Sequence, residues 1–132
     1  MKFSSTFLYV LSSLGVAQAK KSPYFVLTGD STVAVNGGWG DGFLADLKSP
    51  ASGVNSGKSG ATIPSFRAEG RWNTAIEAVK SHKGDHESIV TIQFGHNDQK
   101  TYTLEQYSNN LAGLVNEVKA AGGTPVSIPF GY

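Results

Sequence analysis

The amino-acid sequence predicts an α/β domain in which a parallel sheet carries helices on both faces. Apolar runs typical of buried strands alternate with segments whose apolar residues recur every three or four positions, as in amphipathic helices. This alternation indicates βαβ units. The length of 132 residues fits a single domain. With 39% hydrophobic and 16% charged residues, the composition excludes intrinsic disorder and a coiled coil.

Each predicted element has its own local signal. Short runs rich in β-branched, aromatic and other apolar residues predict strands over 24–28, 54–55, 88–94 and 125–128. Helical spacing of apolar residues predicts helices over 41–47, 69–82 and 104–121. Thr103 and Gln106 form a capping box that opens the last of these helices, and Gly122 ends it.

The first nineteen residues have the pattern of a secretory signal peptide. Lys2 precedes an apolar stretch that ends near Val16, and Ala17-Gln18-Ala19 fits a small-residue cleavage site. The stretch is too short to span about 30 Å of hydrocarbon. We therefore expect residues 1–19 to be a signal peptide and residues 20–132 to form a secreted, extracellular domain. The alternative is a buried N-terminal helix.

Charge and cysteine content exclude several classes of protein. The 11 Lys and Arg residues nearly balance the 10 Asp and Glu residues, and no basic run occurs. We therefore expect neither nucleic acid nor a membrane as a partner. The absence of Cys excludes disulfide scaffolds, thiol catalysis and Cys-based zinc sites.

Small, polar, glycine-rich segments follow each of the first three predicted strands. They lie at residues 29–31, 55–60 and 95–98, and the carboxyl ends of parallel strands meet at one sheet edge, where ligands bind. Ser31 would expose a hydroxyl that could act as a nucleophile. The backbone amide of Gly57 or Gly60 and the side-chain amide of Asn97 could bind an oxyanion. Together they predict an acyl-transfer site.

The sequence resembles the GDSL/SGNH hydrolases, and within them the rhamnogalacturonan acetylesterase-like branch. The resemblance rests on four segments: Leu27-Thr28-Gly29-Asp30-Ser31-Thr32, Gly38-Trp39-Gly40-Asp41, Ala68-Glu69-Gly70-Arg71-Trp72 and Gln93-Phe94-Gly95-His96-Asn97-Asp98. It implies a three-layer α/β/α sandwich with a flavodoxin-like parallel sheet, and removal of acetyl esters from rhamnogalacturonan in pectin. No cofactor or metal is implied, and an acetylated polysaccharide is the expected partner.

The resemblance also assigns roles to residues. Ser31 would be the nucleophile, with its own amide as one oxyanion donor. The glycine of the second block falls at Gly60 rather than Gly57, and Asn97 would be the third donor. Asp30 and Asp98 would position loops.

One part of the family pattern is missing. The Asp-x-x-His block that supplies the general base does not occur, and neither a fifth strand nor a final helix is predicted. The domain is therefore expected to be C-terminally truncated and weakly active. His82 and His86 flank a polar turn at the amino end of a strand and are expected to be solvated. His96 is expected to point away from Asn97.

Alternative functions follow from the same observations. A polysaccharide-binding domain without hydrolysis would keep the site and lack the base, and an esterase or lipase would act on other acyl esters. The segment 53–59 resembles a phosphate-binding loop but has too few residues between its glycines. Trp39 is a candidate for stacking on a sugar, whereas Trp72 and Tyr107 are expected in the core.

Overall fold

The structure, a computed structural model, describes residues 20–129, so the predicted signal peptide lies outside the described residues. The strands are β1 (Ser22–Gly29), β2 (Ser52–Asn55), β3 (His86–Gln93) and β4 (Thr124–Ser127). The helices are α1 (Gly40–Asp46), α2 (Ile63–Ala68), α3 (Arg71–His82) and α4 (Leu104–Ala121), with a 3-10 helix at Asp98–Lys100. None of the helices within residues 20–129 is long and apolar enough to cross a membrane.

The four strands form one parallel sheet in the order β2-β1-β3-β4. Alternate residues of β1 face opposite layers of helix. Phe25 packs edge-on against Phe43 of α1, with ring centroids 5.0 Å apart. Val26, on the other face, belongs to a buried cluster that includes Trp72 of α3 and Leu114 of α4. The predicted three-layer α/β/α architecture is therefore confirmed.

The core lies between the sheet and the layer formed by α2, α3 and α4. Its largest fully buried side chains come from the sheet strands β1 and β3, from Phe94 just after β3, and from all three of these helices: Trp72, Phe66, Phe94, Ile63, Ile92, Leu114, Val26, Val79, Val90 and Val118. Trp72 is 1% exposed, and Tyr107 packs half-buried against the same cluster. Both aromatic residues were expected in the core, and this is confirmed.

Several element boundaries differ from the prediction for identifiable reasons. Strands β1 and β3 each begin two residues earlier than predicted because Ser22 and His86 are paired in the register of the two strands. Helix α3 begins at Arg71 rather than Glu69, since Gly70 adopts φ +75° before it. Helix α2 was missed, although Thr62 and Ser65 form a reciprocal capping box at its start.

Strand β4 forms one edge of the sheet. It has four residues, and its Val126 is paired in register with Thr91 of β3. Val126 is 41% exposed, so an apolar side chain of this edge strand remains in contact with solvent. Exposed edges of this kind are prone to pair with other chains.

Candidate active site

The nucleophile candidate Ser31 lies on a single helical turn that leaves the end of β1. The carbonyl of Asp30 accepts hydrogen bonds from the amides of Val33 (3.2 Å) and Ala34 (3.1 Å). The Oδ1 atom of Asp30 accepts from the amide and the hydroxyl of Thr32, at 2.9 and 2.8 Å. The turn is thus fixed on both sides of Ser31, while Ser31 itself is exposed.

The glycine-rich loop after β2 is hydrogen-bonded to the end of β1. The amide of Lys58 donates to the carbonyl of Gly29 at 2.9 Å, which brings this loop next to the Ser31 turn. The amide of Gly57 is occupied, because it donates to Oδ1 of Asn55 at 3.0 Å. The amide of Gly60 has no acceptor among residues 20–129, and Gly60 is exposed with φ +78°. Gly60 is therefore the better donor for a bound oxyanion.

Asn97 follows β3 and is oriented by two contacts. Its Nδ2 donates to the carbonyl of Ala61 at 3.1 Å, and its Oδ1 accepts from Nζ of Lys100 at 3.3 Å. Because an amide nitrogen carries two hydrogens, one N–H of Asn97 remains for a ligand. The bond to Ala61 also joins Asn97 to the loop of Gly60.

Two buried carboxylates hold the backbone behind these residues. Oδ1 of Asp98 accepts from the amide of Ile63 at 2.9 Å, and Asp98 is fully buried. Burial raises the pKa of Asp98 despite this and other backbone hydrogen bonds, and the charge of Asp30 raises it further. Burial, together with the charges of Asp98 and Asp30, raises the pKa of Tyr107 as well. Both carboxylates accept hydrogen bonds from backbone amides of these loops, as their predicted role in positioning loops requires.

Sequence comparison relates these residues to a known protein family. The family model of the GDSL-like lipase/acylhydrolases matches residues 25–125, which include the Ser31 turn, the Gly60 loop and Asn97. The chain belongs to this family. The chain is 38% identical over 121 residues to the rhamnogalacturonan acetylesterase RhgT of Bacillus subtilis (strain 168). That match covers 83% of this chain and 49% of RhgT, so the chain spans about half the length of this relative.

Two solved structures share the fold. One is a lipolytic protein of the G-D-S-L family from Veillonella parvula DSM 2008, with TM-score 0.54 and 14% identity. It matches over 80% of this chain and 57% of its own. The psychrotrophic esterase EstA from a Pseudoalteromonas species, solved with a monoethylphosphonate inhibitor, also has TM-score 0.54, with 21% identity over 79% of this chain and 57% of its own.

The Gly-Trp-Gly-Asp segment of this GDSL chain packs directly behind the nucleophile turn, through Asn55. The side-chain nitrogen of Asn55 donates to the carbonyl of Val33 and to Oδ1 of Asp41, both at 2.9 Å. The amide of Asn36 donates to the other oxygen of Asp41, and these hydrogen bonds lower the pKa of Asp41. At Gly40 a Cβ atom would lie 2.5 Å from Nδ2 of Asn55, so glycine is required there. This role of Asn55 was not predicted from the sequence.

Trp39 makes contacts that bear on its predicted role. Its Nε1 donates to Oε1 of Gln93 at 2.7 Å, and its ring packs edge-on against Phe43 at 5.8 Å. Trp39 is half-buried. The indole N–H and one edge are therefore engaged within the protein, and stacking of a sugar on the remaining face stays a prediction.

His82 and His86 lie away from Ser31, as expected, but they are not solvated loop residues. The rings of His82 and Tyr24 stack with centroids 3.5 Å apart, and His86 lies edge-on to Tyr24 at 5.9 Å. All three are half-buried at the amino end of the sheet, because α3 ends where β3 begins. At about 3.3 Å per residue, Tyr24 is roughly 20 Å along β1 from Ser31. The expectation of solvated side chains was wrong.

His96 is the histidine nearest in sequence to the site. His96 is exposed. Within residues 20–129 its backbone carbonyl accepts a hydrogen bond from Nε2 of Gln99 at 3.2 Å. Across the same residues, no histidine forms a hydrogen bond with Ser31. The described residues also contain no group of three or more His, Asp or Glu side chains placed to bind a metal ion.

A cavity of about 500 Å³ lies beside the site without containing it. It is bordered by the carboxyl ends of β3 and β4 and the start of α4, through Gly95, Tyr102, Tyr107, Leu111 and Ser127. Ser31, Gly60 and Asn97 do not line it. Ser31 and Gly60 are exposed and Asn97 is half-buried, so the candidate site lies open to solvent at the sheet edge.

Proposed function

We propose that the chain is the nucleophile-bearing part of a serine ester hydrolase, with Ser31 as the nucleophile. The observation that carries this proposal is the exposed Ser31 turn. It is bonded, through Gly29 and Lys58, to a loop whose Gly60 amide has no acceptor in the part of the chain that the structure describes. Membership in the GDSL family supports the reaction class. The chain spans about half the length of RhgT. Ester hydrolysis by the whole domain is therefore also proposed.

The proposed reaction is acyl transfer through Ser31. Its Oγ attacks the ester carbonyl carbon, and the carbonyl oxygen becomes an oxyanion. The amides of Ser31 and Gly60 and the free N–H of Asn97 donate to that oxyanion, each worth about 2.7–4 kcal/mol to the rate of such reactions. A base takes the proton of the Ser31 hydroxyl, collapse of the oxyanion breaks the ester bond, and the alcohol leaves with that proton. Water then attacks the acyl-serine, releases the carboxylic acid and restores the serine hydroxyl.

The general base is the missing part of this mechanism. No histidine among the described residues forms a hydrogen bond with Ser31, and loss of the base can cost as much rate as loss of the nucleophile. We therefore expect the isolated chain to turn over esters slowly. The same observation favours a second candidate, a polysaccharide-binding domain that does not hydrolyse its ligand.

We further propose that the ester is an acetyl group on a pectic polysaccharide and that the protein is secreted. The similarity to RhgT, a rhamnogalacturonan acetylesterase, supports this substrate. The apolar stretch and the Ala17-Gln18-Ala19 sequence at the N-terminus support export. Other acyl esters are the alternative substrates.

The proposal is tested with p-nitrophenyl acetate and imidazole, which can replace an absent histidine as a base. We expect imidazole-dependent release of p-nitrophenolate by the chain to exceed that by Ser31→Ala and by Asn97→Ala at every imidazole concentration. Equal rates for the chain and Ser31→Ala would reject Ser31 as the nucleophile. Saccharide binding together with such equal rates would favour the binding domain.

A further inference from the structure

Two clusters of ionic side chains border the segment 67–72, and they differ in how fully their hydrogen-bonding groups are used. In the first, the carboxylate of Glu117 accepts from both terminal nitrogens of Arg67, at 3.1 and 2.7 Å, and from Nε1 of Trp72. These bonds lower the pKa of Glu117, the hydrogen bond from Arg67 being the largest cause. This cluster is closed, because both oxygens of the acid are occupied.

The second cluster consists of Lys58, Glu69 and Arg71 and is open. One oxygen of Glu69, Oε2, lies 3.1 Å from Nε of Arg71 and 3.6 Å from Nζ of Lys58. The second distance exceeds that of a hydrogen bond. Across residues 20–129, neither Nζ of Lys58 nor the terminal nitrogens of Arg71 have a hydrogen-bond acceptor. The cluster has a net charge of +1 and unused donors that face solvent.

Helix stability does not explain this arrangement. Arg71 is the first residue of α3, where the partial positive charge of the helix N-terminus opposes a cation. The three side chains are 40–46% exposed, and ion pairs at such exposure contribute little to folding.

The position of the cluster relates it to the candidate site. Lys58 belongs to the loop that carries Gly60, and its backbone is hydrogen-bonded to Gly29, two residues before Ser31. Arg71 begins the helix that runs from this edge of the sheet to the amino end of β3. Lys58 and Arg71 therefore both lie at the carboxyl end of the sheet, as Ser31 does.

We propose that Lys58 and Arg71 form a subsite for the carboxylate of a uronic acid residue in the polysaccharide whose ester reaches Ser31. This inference rests on the proposed function and adds two residues that would bind an acid group of its substrate. A carboxylate can accept both from the planar guanidinium of Arg71 and from the ammonium of Lys58. The shared acid Glu69 keeps the two cations close together and weakens the attraction for a second carboxylate.

The test measures binding of the chain to rhamnogalacturonan oligosaccharides and to the same oligosaccharides after reduction of their carboxyl groups. Isothermal titration at low salt is suitable because the contacts are exposed. We expect Lys58→Ala and Arg71→Ala each to weaken binding of the acidic form about two- to fivefold, the range for exposed charge pairs. Glu69→Gln should instead tighten it, whereas a purely structural role for Glu69 predicts no gain.

A matched control comes from α3. Lys80 is similarly exposed and pairs with Glu77 at 2.9 Å, so Lys80→Ala removes the same charge away from the site. It should leave binding unchanged, and no variant should alter binding of the reduced oligosaccharide. Equal effects of Lys80→Ala and Lys58→Ala, weaker binding by Glu69→Gln, or an absence of binding to the acidic form would each overturn the subsite. Turnover of p-nitrophenyl acetate, which has no uronate, tests the proposed function separately.

Discussion

Contact between the Gly57 loop and the turn that follows Ser31 leads to a quantitative prediction. A Cβ atom at Gly57 would lie 2.8 Å from the amide nitrogen of Ala34 and 2.9 Å from its Cα and from the carbonyl carbon of Val33. These are backbone atoms of the nucleophile turn, so a change of rotamer cannot relieve the overlap. Gly57→Ala must push the loop and the turn apart.

The expected cost follows from the size of the overlap. Overpacking of a well-packed interior typically costs about 1–3 kcal/mol. For a domain of this size, each kcal/mol lowers the melting temperature by roughly 4–8 °C. We expect Gly57→Ala to lower the free energy of unfolding by about 2 kcal/mol. The imidazole-dependent reaction at Ser31 should fall with it, because the turn is displaced.

The assay is urea unfolding followed by circular dichroism, with Gly42→Ala as the matched control. Gly42 lies on α1 and has open space where its Cβ would be, so the same substitution there should stabilise the helix by up to about 1 kcal/mol. Unfolding free energies for Gly57→Ala and the parent chain that agree within about 0.5 kcal/mol would refute the proposed contact.

Three further predictions concern stability. Asp98 has a raised pKa in the folded state, so its contribution to the free energy of unfolding is lost as pH rises through that pKa. Asp98→Asn should abolish this decrease in stability, measured by urea unfolding at a series of pH values. Glu117 has a lowered pKa, so its contribution to the free energy of unfolding is lost as pH falls through that pKa. Glu117→Gln should reduce the loss of stability at acidic pH by less than about 1 kcal/mol, because the ion pair of Glu117 with Arg67 is half-exposed. Thr62→Ala removes the acceptor for the amide of Ser65 and should cost about 1 kcal/mol in thermal unfolding, whereas Thr62→Ser should restore the parent value.

The sheet and the positions of the candidate residues could be predicted from the sequence because both depend on local patterns. Apolar runs identify buried strands, and the carboxyl ends of parallel strands lie together whatever the details of the loops. Ser31, Gly60 and Asn97 therefore fall at one edge. The choice between Gly57 and Gly60 is also explained by the structure, since the amide of Gly57 is bonded to Asn55.

Other features depend on contacts between distant parts of the chain and left little trace in the sequence. Asn55 links the turn after Ser31 to Asp41, and its only local sign is its place at the end of a short strand. His82 and His86 looked like turn residues because Tyr24, which stacks on His82, is 58 positions away in the sequence. Helix α2 is six residues long, too short for an apolar periodicity to be recognised.

The central claim is that Ser31 is the reactive nucleophile of this sheet edge, and covalent labelling tests it most directly. The chain and Ser31→Ala are incubated with a p-nitrophenyl phosphonate and imidazole, and the modified residue is located by mass spectrometry. Attack by Oγ on phosphorus displaces p-nitrophenolate and leaves a phosphonyl group on the serine. We predict one adduct, on Ser31, absent from Ser31→Ala. An adduct at another residue, or equal labelling of Ser31→Ala, would contradict the account.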